Sequence, residues 1–88
     1  METKVKIINE AGFHARPVSK WLQIVKMYEA EVVVGLGDKE VNGGSMLAMM
    51  TLGAKQGDEL EIKVSGKDEK KVLEALVDFV NQGMGEAV

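Results

Sequence analysis

Glu59-Leu60-Glu61-Ile62-Lys63-Val64-Ser65 alternates polar and apolar residues without a break. Successive side chains on a strand point to opposite faces, so Leu60, Ile62 and Val64 make one apolar face and the charges make the other. A sheet of such strands has one face on a core and one in water, as antiparallel sheets do. Amphipathic helices must then cover the apolar face. Downstream, Asp68–Gln82 carries Val72, Leu73, Leu76, Val77, Phe79 and Val80 at helical spacing, with Asp68 placed to cap and Gly83 to stop it. Upstream, Thr3–Ile8 alternates with Val5 and Ile7 inward. Pro17–Tyr28 has apolar residues at 18, 21, 22, 25 and 28, the stripe of an amphipathic helix, and Pro17 suits its first turn. Glu31–Leu36 is β-branched and turns through Gly35–Asp38, and Lys39–Asn42 returns as a short strand. Ser45–Leu52 follows two glycines and stops at Gly53, which predicts a two-turn helix with Ser45 as N-cap. The order β-α-β-β-α-β-α predicts an α+β fold. It is an open-faced, two-layer sandwich, a four-stranded antiparallel sheet with three helices on one face, in one domain over residues 1–88.

Composition narrows the chemistry. The chain has 88 residues, enough for one thin core. It has no Cys, which excludes disulfides, thiolate catalysis and cysteine zinc sites, and one His, which excludes a His-rich metal site. No metal and no cofactor is expected. No apolar run approaches the ~18 residues of a membrane span, and Met1-Glu2-Thr3-Lys4 lacks the layout of a signal peptide, so the expected location is the cytoplasm. The net charge of −3, from 14 acids and 11 bases, fits poorly with a nucleic-acid binder. What remains is one imidazole with carboxylates, hydroxyls, amines and backbone amides.

That imidazole lies in Asn9–Pro17 (NEAGFHARP), between the first strand and the first helix. His14, Ala15 and Arg16 directly precede Pro17, in the cap region where backbone N–H groups lack intrahelical partners. Such groups and the helix dipole attract anions. Arg16 adds a charged fork that fits phosphate oxygens. The positive field should keep the ring neutral, as a nucleophile requires, and would stabilise a phosphorylated imidazole. From the residues alone, a plain loop histidine and anion or phosphoryl chemistry both stay open.

Gly12-Phe13-His14-Ala15-Arg16-Pro17 resembles the active-site signature of the HPr family, the histidine-containing phosphocarriers of the bacterial phosphoenolpyruvate:sugar phosphotransferase system. A second block, Asn42–Gly53 (NGGSMLAMMTLG), is similar to that family's regulatory-serine helix, and the resemblance covers nearly the whole chain. It implies that His14 accepts a phosphoryl group on Nδ1 from phosphorylated enzyme I and passes it to enzyme IIA domains for sugar uptake. It also implies that Arg16 stabilises that group, that backbone amides around Ala15, Arg16 and Pro17 hold its oxygens, and that Pro17 opens the helix. The chain would then be a covalent carrier and not an enzyme with turnover. The alternative within the family is a nitrogen-type regulatory branch, whose phosphorylation state controls partners instead of transport.

Ser45 reads as an N-cap, and by resemblance also as a regulatory phosphosite for a serine kinase/phosphorylase, with transcriptional regulators as further partners. Gly44 and Ala48 depart from the residues common around that serine, Lys and Gly. Met46, Leu47, Met49 and Met50 make their helix apolar nearly all round, so part of it should stay exposed as an adaptable patch. The resemblance gives Met46, Leu47 and Met50, with Ser19, Lys20 and Gln23 on the first helix, to partner docking; a monomer is expected. Trp21 falls on an apolar stripe and reads as core, and Lys67–Lys71 (KDEKK) reads as a solvated helix start. Gly43-Gly44 resembles a phosphate loop only superficially, since no G-K-[ST] follows. Two readings from other classes are weaker. An acyl-carrier-like protein needs Asp before the serine and an all-helical fold, where this chain has Gly44 and alternating strands. A binding module that never takes phosphate finds no support, because His14 and Arg16 are both present.

Overall fold

The computed structural model describes residues 1–86, and the remaining two residues of the expected 1–88 domain lie outside that range. The elements are β1 (Glu2–Lys6), α1 (Ala15–Lys26), β2 (Glu31–Leu36), β3 (Lys39–Asn42), α2 (Met46–Thr51), β4 (Glu59–Ser65) and α3 (Glu69–Asn81). They form a four-stranded sheet in the order β1-β4-β2-β3, antiparallel at every pairing. The three helices cover one face, so the α+β open-faced sandwich expected from the alternation is the fold.

The period-two pattern sets the register. Val5 pairs with Leu60, and Val32 and Val34 pair with Val64 and Ile62, all on the covered face. Leu60, Ile62 and Val34 are fully buried, together with Val18 and Trp21 from α1, Met49 from α2, and Leu76 and Val80 from α3. The same register sets opposite charges across from one another on the wet face, Glu2 with Lys63, Lys4 with Glu61 and Lys6 with Glu59. Lys63 also donates to Glu40 at 2.6 Å. Exposed pairs of this kind contribute little stability, and a one-residue slip would break all of them while exposing the core face.

Some boundaries differ from expectation for local reasons. β1 ends at Lys6, yet Ile7 stays fully buried, its N–H donating to Asp58 O at 2.9 Å and its carbonyl accepting from Gly57 N at 2.9 Å. α1 begins at Ala15, so Pro17 is its third residue and does not open it. A proline costs nothing there, because the first-turn N–H groups have no intrahelical acceptor. Asp68 stands at the N-cap of α3 but makes no capping bond. Its carboxylate instead accepts from Glu29 N at 2.9 Å, tying the entry of β2 to the start of α3. Ser45 does cap α2, its Oγ accepting from Ala48 N at 3.3 Å.

Two contacts hold the helices to the loops that carry the candidate residues. Trp21 Nε1 donates to the buried carbonyl of Gly43 at 2.8 Å, and the Trp21 ring meets Phe13 edge-on with centroids 5.5 Å apart. Gly12 has φ +65°, and a Cβ there would come within 2.5 Å of Lys55 Cα and 2.6 Å of Ala54 O. The chain can pass there only as glycine.

Gly12→Ala should therefore destabilise the domain by about 3 kcal/mol, combining left-handed strain with a backbone clash. Gly37→Ala, which has the same sign of φ and open space around it, should lose about 1 kcal/mol. Urea unfolding of the two variants checks the difference. Trp21→Phe should cost about 1–3 kcal/mol by leaving the Gly43 carbonyl unpaired, measured the same way.

Candidate functional site

The site is assembled from the loop after β1, the start of α1 and the turn after α3. Asn9 is fully buried. Its carbonyl accepts from Gly12 N at 3.2 Å, and its Nδ2 donates to Gly12 O at 3.0 Å, which closes the loop on itself. Phe13 N donates to Ala54 O at 3.0 Å, pinning the loop against the segment after α2. The next residue, His14, is the N-cap of α1 in extended conformation, and its carbonyl takes the first helical bond from Val18 N at 3.0 Å. The imidazole is 40% exposed, so a reaction partner can reach it.

Ala15 and Arg16 are the first two residues of α1, and both are exposed. Their N–H groups precede the first helical bond and have no intrahelical acceptor. Pro17 has no N–H to offer, so the backbone donors expected around Ala15, Arg16 and Pro17 reduce to those of Ala15 and Arg16. α1 has no acidic residue in its first turn to offset the positive end of its dipole. A groove of about 560 Å³ opens beside Val25, Val32 and Val41, away from His14 and Arg16.

A residue that no motif in the sequence marks, Glu86, completes the site. Its Oε2 lies 2.8 Å from His14 Nε2, and its Oε1 accepts from Asn9 Nδ2 at 2.8 Å. The Asn9 amide holds the Glu86 carboxyl below its usual range, with His14 and Arg16 acting the same way and burial opposing them. No hydrogen bond among the described residues engages His14 Nδ1. The positive field expected around the ring is thus balanced on its Nε2 side by a carboxylate.

Glu86 reaches the site because α3 ends in a Schellman turn. Gly83 N donates to Val80 O at 3.0 Å and Met84 N to Phe79 O at 2.9 Å. Gly83, Met84 and Gly85 all have positive φ, and the Met84 side chain is fully buried. Met84 thus anchors the turn, and the bond from Glu86 N to Gly83 O at 3.0 Å directs Glu86 back toward His14. The one sequence hint was a methionine between two glycines past a helix end.

The remaining candidates form a neighbouring surface. Ser19, Lys20 and Gln23 are exposed and share a face of α1 with Arg16 by their spacing. Lys20 packs over the C-terminal turn, its Nζ 2.7 Å from where a Cβ on Gly85 would stand. Met46, Leu47 and Met50 are exposed on α2 while Met49 is buried, which is the division expected of that helix. α2 packs directly on α1. Ser45 is half-buried and bonded to Ala48, Asn42 and Met49, with no hydrogen bond to the His14 loop among the described residues. No group of described side chains could hold a metal ion, and no described helix is long and apolar enough to cross a membrane.

Comparison with known proteins agrees with this geometry. The family model for the HPr component phosphorylation site of the phosphotransferase system matches residues 1–82. The phosphocarrier protein HPr of Neisseria meningitidis serogroup B is 36% identical over 86 residues, covering 98% of this chain and 97% of that one. A multiphosphoryl transfer protein of Salmonella typhimurium is 35% identical over 82 residues, 89% of this chain and 22% of that protein. Among solved structures, HPr-C-His from Thermoanaerobacter tengcongensis superposes with a TM-score of 0.94 at 32% identity, covering 100% of this chain and 99% of that one. With the histidine cap, the neighbouring arginine and the open-faced sandwich all present, the chain belongs to the HPr family of phosphocarriers of the phosphotransferase system.

Proposed function

We propose that the chain is one cytoplasmic, monomeric carrier domain over residues 1–88. In this reading His14 takes a phosphoryl group from phosphorylated enzyme I and delivers it to enzyme IIA domains in sugar uptake. The observation that carries the reading is a half-exposed imidazole on the N-cap residue of a helix whose first two N–H groups have no helical acceptor, with Arg16 two residues on. Phosphoryl transfer asks a protein mainly for position and charge stabilisation. The Nδ1 lone pair of His14 forms the new N–P bond as the donor's bond to phosphorus breaks and its electron pair leaves with the donor. The Ala15 and Arg16 amides and the Arg16 guanidinium take the phosphoryl oxygens. Onward transfer is the reverse step toward another acceptor, so the domain ends each cycle unchanged and has no turnover of its own.

A carrier must fit a donor and several acceptors in turn. Arg16, Ser19, Lys20 and Gln23 beside the exposed Met46, Leu47 and Met50 give polar contacts around a deformable apolar centre. Ser45, at the edge of that surface, is the proposed regulatory site. A phosphate there would sit at the N-terminal end of α2, where charge is tolerated, and would place negative charge beside Met46 and Leu47. It would oppose docking without unfolding the domain.

Incubation with enzyme I and labelled phosphoenolpyruvate should put acid-labile phosphate on the wild type and none on His14→Ala. An unlabelled wild type, or label persisting in the variant, overturns the carrier reading. Arg16→Ala should slow the transfer on the order of a hundredfold, with Arg16→Lys recovering only part because the planar fork is lost. A cognate serine kinase with ATP should add acid-stable phosphate to the wild type and none to Ser45→Ala.

A further inference from the structure

We infer that Glu86, oriented by Asn9, is a positioning residue that keeps the His14 proton on Nε2 and so leaves the Nδ1 lone pair free to react. This rests on the reading of His14 as the phosphoryl acceptor and assigns the group that prepares it. The geometry is a chain of two bonds. Asn9 Nδ2 donates to Glu86 Oε1, and Glu86 Oε2 faces His14 Nε2, both at 2.8 Å. A carboxylate only accepts hydrogen bonds, so the ring nitrogen facing it must carry a proton. In a neutral imidazole the other nitrogen, Nδ1, is then unprotonated.

Asn9 cannot reverse its amide to suit a different partner. Its Nδ2 donates to both Gly12 O and Glu86 Oε1, while its buried Oδ1 has no hydrogen-bond partner among the described residues. Reversal would aim Oδ1 at a carbonyl and a carboxylate. The position now held by Glu86 Oε1 therefore demands an acceptor. The same carboxylate serves the chemical step. When Nδ1 attacks phosphorus and the ring keeps its Nε2 proton, the imidazole becomes positively charged, and Glu86 stabilises that charge as a buried acid does for a catalytic histidine. The turn anchored by the buried Met84 and the bond from Glu86 N to Gly83 O keep the carboxylate in place.

The isosteric amide separates this role from a merely structural one. In Glu86→Gln the side-chain oxygen must face Asn9, which turns the NH2 group toward His14 Nε2. That nitrogen must then accept, and the proton moves to Nδ1, the atom that reacts. Glu86→Gln should therefore be worse than Glu86→Ala, where water can meet the ring. A structural role predicts the opposite order.

Long-range 1H–15N correlation spectra of His14, taken about two pH units above the ordinary imidazole value of ~6.5, read the proton's position. Phosphoramidate supplies a donor that needs no partner protein: its P–N bond breaks, ammonia leaves with the electron pair, and the new bond forms at Nδ1. The wild type should hold the proton on Nε2 and Glu86→Gln on Nδ1. Glu86→Gln should take phosphate roughly tenfold more slowly than wild type, and more slowly than Glu86→Ala. A wild-type proton on Nδ1, or a Glu86→Gln protein that keeps it on Nε2 or reacts as fast as Glu86→Ala, overturns the inference. Failure of the wild type to accept phosphate from enzyme I would overturn the carrier reading alone, since the spectra decide the role of Glu86 without it.

Discussion

One buried carboxamide organises the functional end of this molecule. Asn9 closes the loop after β1 by exchanging bonds with both backbone groups of Gly12, and its second amide hydrogen reaches Glu86 at the far end of the chain. A buried polar side chain is costly unless it is bonded, so these partners are held together in the folded state. Gly12 then passes against Ala54 and Lys55, Phe13 bonds Ala54 and packs on Trp21, and Trp21 bonds Gly43. The loop bearing His14, the segment after α2 and the approach to Ser45 thus rest on one connected set of contacts.

Two kinds of charge meet near His14. One is positive, from the first-turn amides of α1 and from Arg16 two residues on, suited to a phosphoryl dianion. The other is the Glu86 carboxylate against Nε2, which also feels the Arg16 charge and is suited to a ring that becomes positive as it reacts. Neither helps the chemistry if misplaced, since a carboxylate on the phosphoryl side would repel it. The whole-chain charge of −3 says little about this, because what acts on the ring is the local charge of Arg16, Glu86 and the helix start. The 40% exposure of that ring leaves it within reach of another molecule.

The fold was legible because its signals are local. The alternation in Glu59–Ser65 set the inward faces, and β2 and β3 have the expected bounds, though the turn expected over Gly35–Asp38 is confined to Gly37 and Asp38. That part of α2 stays exposed followed from its being too apolar for a thin domain to cover, while Met46, Leu47 and Met50 as the outward residues came from the family resemblance. Pro17 misled by two residues, since a proline fits any position of the first turn. Asp68 misled because a more distant donor, Glu29 N, won its carboxylate. His14, Arg16 and Ser45 were legible from a short motif and a cap pattern. Glu86 was not, because it lies 72 residues from His14 and reaches it only through a Schellman turn and a buried methionine. No period or spacing in the sequence encodes that return.

On the proposed function, Nδ1 of His14 is the atom prepared to carry phosphate while Nε2 stays protonated against Glu86. The most direct measurement is a combined 31P and long-range 1H–15N spectrum of the 15N-labelled protein after phosphorylation. Phosphorus should couple to Nδ1 of His14, with the ring proton still on Nε2. Phosphorus coupled to Nε2, or found on any side chain other than His14, would contradict it.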